Sequence, residues 1–177
     1  HSFPTRRSSD LGVTVSLHDP DPEAARKVEA VLANADRALS KLTMAPRAGR
    51  GTWRMAGSVA EAVAGAGLVI EAVPERVDLK RAVYAEVEAA APADALVASS
   101  TSGLLPSELQ AEMAHPERLL VGHPFNPVYL LPLVEIVPGA RTAPEAVERA
   151  RAIFEGLGMH PLVIEREIEA FVADRLM

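Results

Sequence analysis

The chain has 177 residues, of which 49% are hydrophobic and only 4% aromatic, and its net charge is −6. That length suits one α/β domain whose core is built from Ala, Val and Leu, and the acidic balance argues against a nucleic-acid footprint, which needs a basic face. No apolar run approaches the roughly 20 residues of a membrane-spanning helix, nothing at the start has the pattern of a signal peptide, and no metal site is expected. Cysteine is absent, so disulfide and thiolate chemistry are excluded and a reducing cytoplasm is the expected compartment. Arg47, Arg50 and Arg54 are the one local basic cluster, which a solvated loop explains.

Residues 1–11, HSFPTRRSSDL, are polar, basic, aperiodic and free of glycine. From Pro4 to Leu11 they resemble a translated sequencing-adapter peptide and are set aside as a non-native leader. From Gly12 the pattern is regular. Val13–Leu17 is a β-branched strand with a polar stop at His18-Asp19-Pro20, and Asp21-Pro22 reads as the cap and first residue of a helix. Val28, Val31, Leu32, Ala35, Ala38, Leu39 and Leu42 give that helix its apolar stripe. A short strand at Trp53–Met55 precedes a small helix capped by Ser58 and running to about Ala64. The nearly all-apolar run Leu68–Val73 predicts a strand buried on both faces, in the middle of a parallel sheet. A helix over 76–91, a strand at Leu96–Ser100, a helix from Pro106 to Ala114 and a strand at Leu119–His123 follow. Beyond a proline-rich loop come a strand at Leu133–Val137, a helix over 143–157, a strand at Pro161–Ile164 and a helix starting at Glu167.

This β-α-β alternation with short connections predicts a doubly wound, mostly parallel sheet of the Rossmann type over residues 12–165. The helical pattern is still running at Met177, so 166–177 is expected to open a further, helical domain.

In such a fold a glycine-rich turn after the first strand lets backbone N–H groups approach a pyrophosphate, and an acid about 20 residues later takes the ribose hydroxyls. Asp19 sits where that acid belongs. A carboxylate there accepts from the 2′-OH and repels a 2′-phosphate, which selects NAD over NADP. An Asp after a strand also commonly just starts a helix. No glycine loop lies upstream, and Gly12 fits the turn before the second strand of the motif; the first strand, glycine loop and first helix are therefore expected to be missing.

The chemistry concentrates in Ser99-Ser100-Thr101-Ser102-Gly103, in His123-Pro124-Phe125-Asn126-Pro127 and at Glu135, all expected at or beyond strand C-terminal ends, where open α/β sheets bind ligands. Oxidising an alcohol needs a base for the hydroxyl proton, and free imidazole titrates near ~6.5, close to working pH. A carboxylate on the other ring nitrogen orients such a base, and a hydroxyl and an amide can hold the substrate oxygen. Each piece has a plainer reading: a lone histidine is often structural, as assigned here to His18, His115 and His160, a hydroxyl-rich strand end is often a turn, and Glu135 could face solvent. Their occurrence at successive strand ends favours a site.

From Leu68 onward the chain closely resembles the 3-hydroxyacyl-CoA dehydrogenase superfamily. The motif ASSTSGL at 98–104 is similar to the family's serine-bearing turn, and HPFNPVYLLPLVE at 123–135 to its catalytic block. The resemblance implies Ser102 as a catalytic serine that also binds substrate and cofactor, His123 as general base, Glu135 as its partner and Asn126 as a substrate-binding polar residue. Glu75 and Lys80, in PERVDLK, fall where relatives contact the nicotinamide half of NAD. Acyl-CoA enzymes usually read HFFNPVPVMKLVE, and they carry Asn where this chain has Asp174 in AFVADRLM. Both departures resemble the carnitine 3-dehydrogenase branch, whose small-molecule substrate is a quaternary ammonium that Asp174, Tyr129 or Phe125 could face. The resemblance further implies a homodimeric parent protein. A 3-hydroxyacyl-CoA or other 3-hydroxy acid dehydrogenase, and a catalytically silent protein of the same fold, are the alternatives.

Overall fold

The structure is a computed structural model that describes residues 13–41, 51–168 and 171. The expected leader, the Arg47 and Arg50 pair, the side chains of Leu39 and Leu42, Asp174 and nearly all of the expected last helix lie outside the described residues. The remainder is an α/β fold with two sheets. β1 (Val15–Leu17) pairs in parallel with β2 (Trp53–Met55). A five-stranded sheet has the order β3 (Leu68–Glu71), β4 (Leu96–Ser99), β5 (Leu119–Pro124), β6 (Leu133–Pro138), β7 (His160–Val163).

Between β1 and β2 runs α1 (Ala24–Ser40). Ahead of its first turn, Asp21 accepts from the Glu23 N–H with its carboxylate and from the Ala24 N–H with its carbonyl, the work expected of a cap. Ala35 is buried on the apolar stripe, with Val28, Val31, Leu32 and Ala38 half-buried. In α2 (Val59–Val63), Ser58 accepts from the Glu61 N–H while the Glu61 carboxylate reaches back to the Gly57 N–H, a reciprocal capping arrangement. That N–H and Arg54 hold the Glu61 carboxyl below its usual range.

Helices cover both faces of the larger sheet. α5 (Pro144–Gly156) lays Ala146, Ala150 and Phe154 against Leu96, Ala98, Leu120, Val134 and Ile136. On the opposite face α3 (Val77–Ala90) and α4 (Pro106–Leu109) bring Tyr84, Val87 and Leu109 against Val69, Val97 and Leu119. Further along that face, Phe171 packs on Val121 and Val137.

Three expectations are corrected, and one, the mostly parallel sheet, is met and made specific. First, Leu68–Val73 was expected in the middle of a sheet, but the strand ends at Glu71, and β3 is an edge among the described residues. Its apolar run is explained by helices on both faces: Val69 packs in the α3 cluster, Leu68 and Ile70 against the α5 cluster. Second, β6 runs antiparallel to β5 while every other pair is parallel. Third, the helix expected to reach Ala114 is α-helical only to Leu109 and continues as a 3₁₀ turn, Gln110–Glu112. The buried Gln110 amide there donates to the carbonyls of Pro116 and Leu119 and to the Thr142 hydroxyl, tying the tightened turn to the following chain. Fourth, Glu167 and Ile168 are not helical.

Gly122, beside His123 on β5, is where Phe154 of α5 packs tightly onto the sheet. A Cβ there would lie 3.1 Å from Phe154 Cζ and 3.3 Å from the Ala98 Cβ. Gly122→Val is therefore expected to lower stability in chemical denaturation by about 1–3 kcal/mol through overpacking. Gly65→Ala, which meets nothing within 4 Å, should change it by less than about 0.5 kcal/mol.

Candidate active site

The antiparallel step places His123 directly opposite Glu135 in the β5–β6 register. Cross-strand neighbours on one face of such a pair hold their side chains within reach of each other, and here Nδ1 of His123 lies 2.8 Å from Oε2 of Glu135. The imidazole is 11% exposed and the carboxylate 1%. A carboxylate only accepts, so Nδ1 carries the proton in this bond, and in the neutral imidazole the Nε2 lone pair is the one left to act as a base. The rings of Phe125 and Phe171 flank the imidazole at centroid distances of 5.9 and 5.5 Å. Glu135 thus does not face solvent. Nor does it stand at a strand C-terminal end, as expected; it is near the start of β6, which antiparallel pairing brings beside the end of β5.

On the neighbouring strand, Ser99 of β4 is paired with Val121 of β5, so the turn after β4 stands level with His123 at the same end of the sheet. The Ser102 N–H donates to Glu75 Oε1 at 2.6 Å, and the Thr101 hydroxyl donates to the same carboxylate at 2.8 Å. Thr101 Oγ1 also accepts from the Gly103 and Leu104 N–H groups, which closes the turn on itself. No hydrogen bond is described for the Ser102 hydroxyl. Asn126 is exposed in the loop after β5, where its peptide to Pro127 is cis, and its side chain has no described partner.

Behind the turn lies a polar network inside the domain. Glu71, 3% exposed, accepts four hydrogen bonds. Lys80 Nζ and the Val73 N–H reach Oε1 at 2.8 and 2.7 Å; the Tyr84 and Ser99 hydroxyls reach Oε2 at 2.6 and 2.7 Å. Four donors match the acceptor capacity of one carboxylate. Lys80, 1% exposed, completes its set with the Val73 carbonyl at 3.0 Å and Glu75 Oε2 at 3.5 Å. Lys80, expected among the cofactor residues, therefore directs its ammonium at protein acceptors, and Glu75, 42% exposed, is the member of the pair open to a ligand.

Asp19 stands apart from this group, two residues beyond β1, with Oδ1 accepting from the Asp21 N–H and no described partner for Oδ2. Sequence reasoning missed Glu71 and Tyr84, and it placed Ser99 and Thr101 in the hydroxyl-rich block without giving either a partner. A signal existed: an acid inside the buried run LVIEAV needs partners, and Lys80 and Tyr84, four apart on one helix face, can supply them.

Compared with known proteins, residues 6–168 match the family described as 3-hydroxyacyl-CoA dehydrogenase, NAD binding domain. The chain belongs to that family. It is 56% identical over 166 residues to an L-carnitine dehydrogenase/betainyl-CoA thioesterase of Rhizobium meliloti, covering 94% of this chain and 34% of that protein. It is also 56% identical over 167 residues to an L-carnitine dehydrogenase of Mesorhizobium japonicum, covering 94% and 46%. Among solved structures, a 5-formyl-3-hydroxy-2-methylpyridine-4-carboxylic acid 5-dehydrogenase, an NAD⁺-dependent dismutase, superposes with a TM-score of 0.88 at 34% identity over 96% of this chain and 55% of that one. The chain thus spans about a third to a half of the curated relatives it matches. The domain is a Rossmann-type NAD-binding domain of an oxidoreductase family. The residues present fit such a cofactor chemically: Asp19 has one carboxylate oxygen without a described partner, an acceptor of the kind ribose hydroxyls need, and the exposed side of Glu75 and Ser102 stand at the sheet end. A G-x-G-x-x-G turn is not in the sequence given.

Burial, reinforced by the Glu71 charge, raises the pKa of the Tyr84 phenol far above the ordinary tyrosine range. A raised folded-state pKa contributes stability that is complete below the unfolded value near ~10 and is lost as pH climbs beyond it. Tyr84 tyrosinate absorbance, taken as the difference between wild type and Tyr84→Phe, is therefore expected to emerge only as the protein unfolds in alkali. Ionisation of Tyr84 in the folded protein near pH ~10 would contradict the burial argument.

Proposed function

We propose that the protein carrying this domain oxidises the 3-hydroxyl of L-carnitine to 3-dehydrocarnitine. The observation that carries the dehydrogenase half is the buried His123–Glu135 pair, with Nε2 left basic at the end of the sheet. The Ser102 hydroxyl and the Asn126 amide hold the substrate oxygen. His123 Nε2 takes the hydroxyl proton, and Glu135 keeps the ring in the Nδ1–H form and stabilises the imidazolium as it forms. NAD, when bound, supplies the two-electron acceptor for the carbinol hydrogen. Asp19 accepts from its ribose and disfavours NADP, while Glu75 lines the site beside Ser102. The carnitine half is supported by the relatives' names and by HPFNPVYLLPLVE. Asp174 is assigned to the cationic end of the substrate on its charge alone. The protein works as a cytoplasmic homodimer.

In the full-length protein, His123→Ala is expected to cut kcat by about 10²–10⁴-fold with little change in NAD affinity. Glu135→Gln should cost less, since its amide oxygen still accepts from Nδ1. If acetoacetyl-CoA is reduced efficiently and dehydrocarnitine is not, the substrate assignment fails while the dyad stands. Asp19→Ala is expected to weaken NAD binding and narrow the preference over NADP in calorimetric titration; an unchanged preference would remove Asp19 from the cofactor site.

A further inference from the structure

Glu71 has no place in the steps above. It is buried, all four of its acceptor positions are taken by protein donors, and no ligand at the sheet end can touch it. Yet its partners lead to the Ser102 turn by two routes. In the first, Ser99 donates its hydroxyl proton to Glu71 and accepts, on the same oxygen, from the Thr101 N–H at 3.4 Å. In the second, Glu71 holds Lys80 at 2.8 Å while Glu75 lies farther from the ammonium, at 3.5 Å. The weaker claim on Glu75 leaves that carboxylate to receive the Thr101 hydroxyl and the Ser102 N–H.

The charges explain why this division is sensitive. Two carboxylates share one ammonium, and the buried one has the shorter bond. Without the Glu71 charge, Lys80 retains a single anionic neighbour, Glu75, and in a low-dielectric interior that attraction is strong. Drawing Glu75 toward Lys80 pulls it off the Thr101 and Ser102 donors and frees the turn.

We propose that Glu71 is a positioning residue of the active site, fixing the Ser102 turn through Ser99 and by holding Lys80 back from Glu75. The proposal rests on the dehydrogenase reading only for the turn's part in turnover. Its geometric content is independent of that reading.

The test is Glu71→Gln in the full-length protein, which keeps the side chain's shape and an acceptor but removes the charge. Amide hydrogen exchange is read first, without cofactor. Exchange at Thr101 and Ser102 should quicken by about tenfold or more beyond any change at the core amides of Leu120 and Val121, since local opening is separable from global unfolding. In turnover, kcat should fall by about 10–100-fold with KM nearly unchanged, as expected when a group that positions the reacting oxygen is misplaced. Equal acceleration at all four amides, or none at Thr101 and Ser102, would show a purely structural residue and overturn the proposal. Selective exchange with full kcat would overturn its catalytic half. If wild type turns over no 3-hydroxy acid, the dehydrogenase reading fails and the exchange result still decides the geometry. Should Glu71→Gln not fold, Ser99→Ala cuts the first route alone; it must quicken exchange at Thr101 selectively, and an unchanged Thr101 amide would refute the proposal.

Discussion

The antiparallel pairing of β5 with β6 is the constraint on which the site depends. A wholly parallel sheet would send the strand after β5 back through a crossover and start it at the far end of the fold. Reversing direction at residues 125–132 instead starts β6 beside the end of β5 and sets Glu135 opposite His123. A histidine alone at a strand end keeps either tautomer and several rotamers. Opposite a buried carboxylate, it keeps one. The pair lies on the sheet face away from α5, alternate to Leu120, Gly122, Val134 and Ile136, so packing against Phe154 and polar pairing do not compete for the same surface.

The second polar layer, around Glu71, solves a different problem. Burying a carboxylate is costly unless its donors are complete, and here the link after β3, β4 and α3 each contribute one or more. The result ties the end of β3 to the turn after β4. A sheet end of open loops thereby acquires a rigid floor, while the exposed face of Glu75 and the Ser102 hydroxyl remain available to ligands. Structure is spent where positioning matters and withheld where binding occurs.

Much of this was legible in the residues. Strand and helix positions from Val15 to Val163 agree with the periodicity to within a residue or two, because helix-on-sheet packing imposes it. The exceptions have local causes, as where the Gln110 amide tightens the end of a helix. The pairing of His123 with Glu135 was expected from the chemistry of an oriented base and from the family's motif, not from strand direction. Strand direction leaves no trace in hydrophobic alternation, although the link at 125–132 is shorter than the dozen or so residues a parallel crossover needs, a clue that was on hand. Glu71 was passed over for the opposite reason. Inside LVIEAV it looked like one polar letter in an apolar run, and its importance comes from Lys80, Tyr84 and Ser99, which are remote in sequence and meet only once the sheet and α3 have formed.

In the catalytic reading proposed above, Glu135 fixes His123 as a base with Nε2 open. Nitrogen-15 NMR of the labelled His123 ring near neutral pH measures this directly. The expected result is a ring whose neutral form carries its proton on Nδ1 and not on Nε2, with that tautomer preference weakened in Glu135→Gln. A ring protonated at Nε2, or a tautomer mixture indifferent to Glu135, would contradict it.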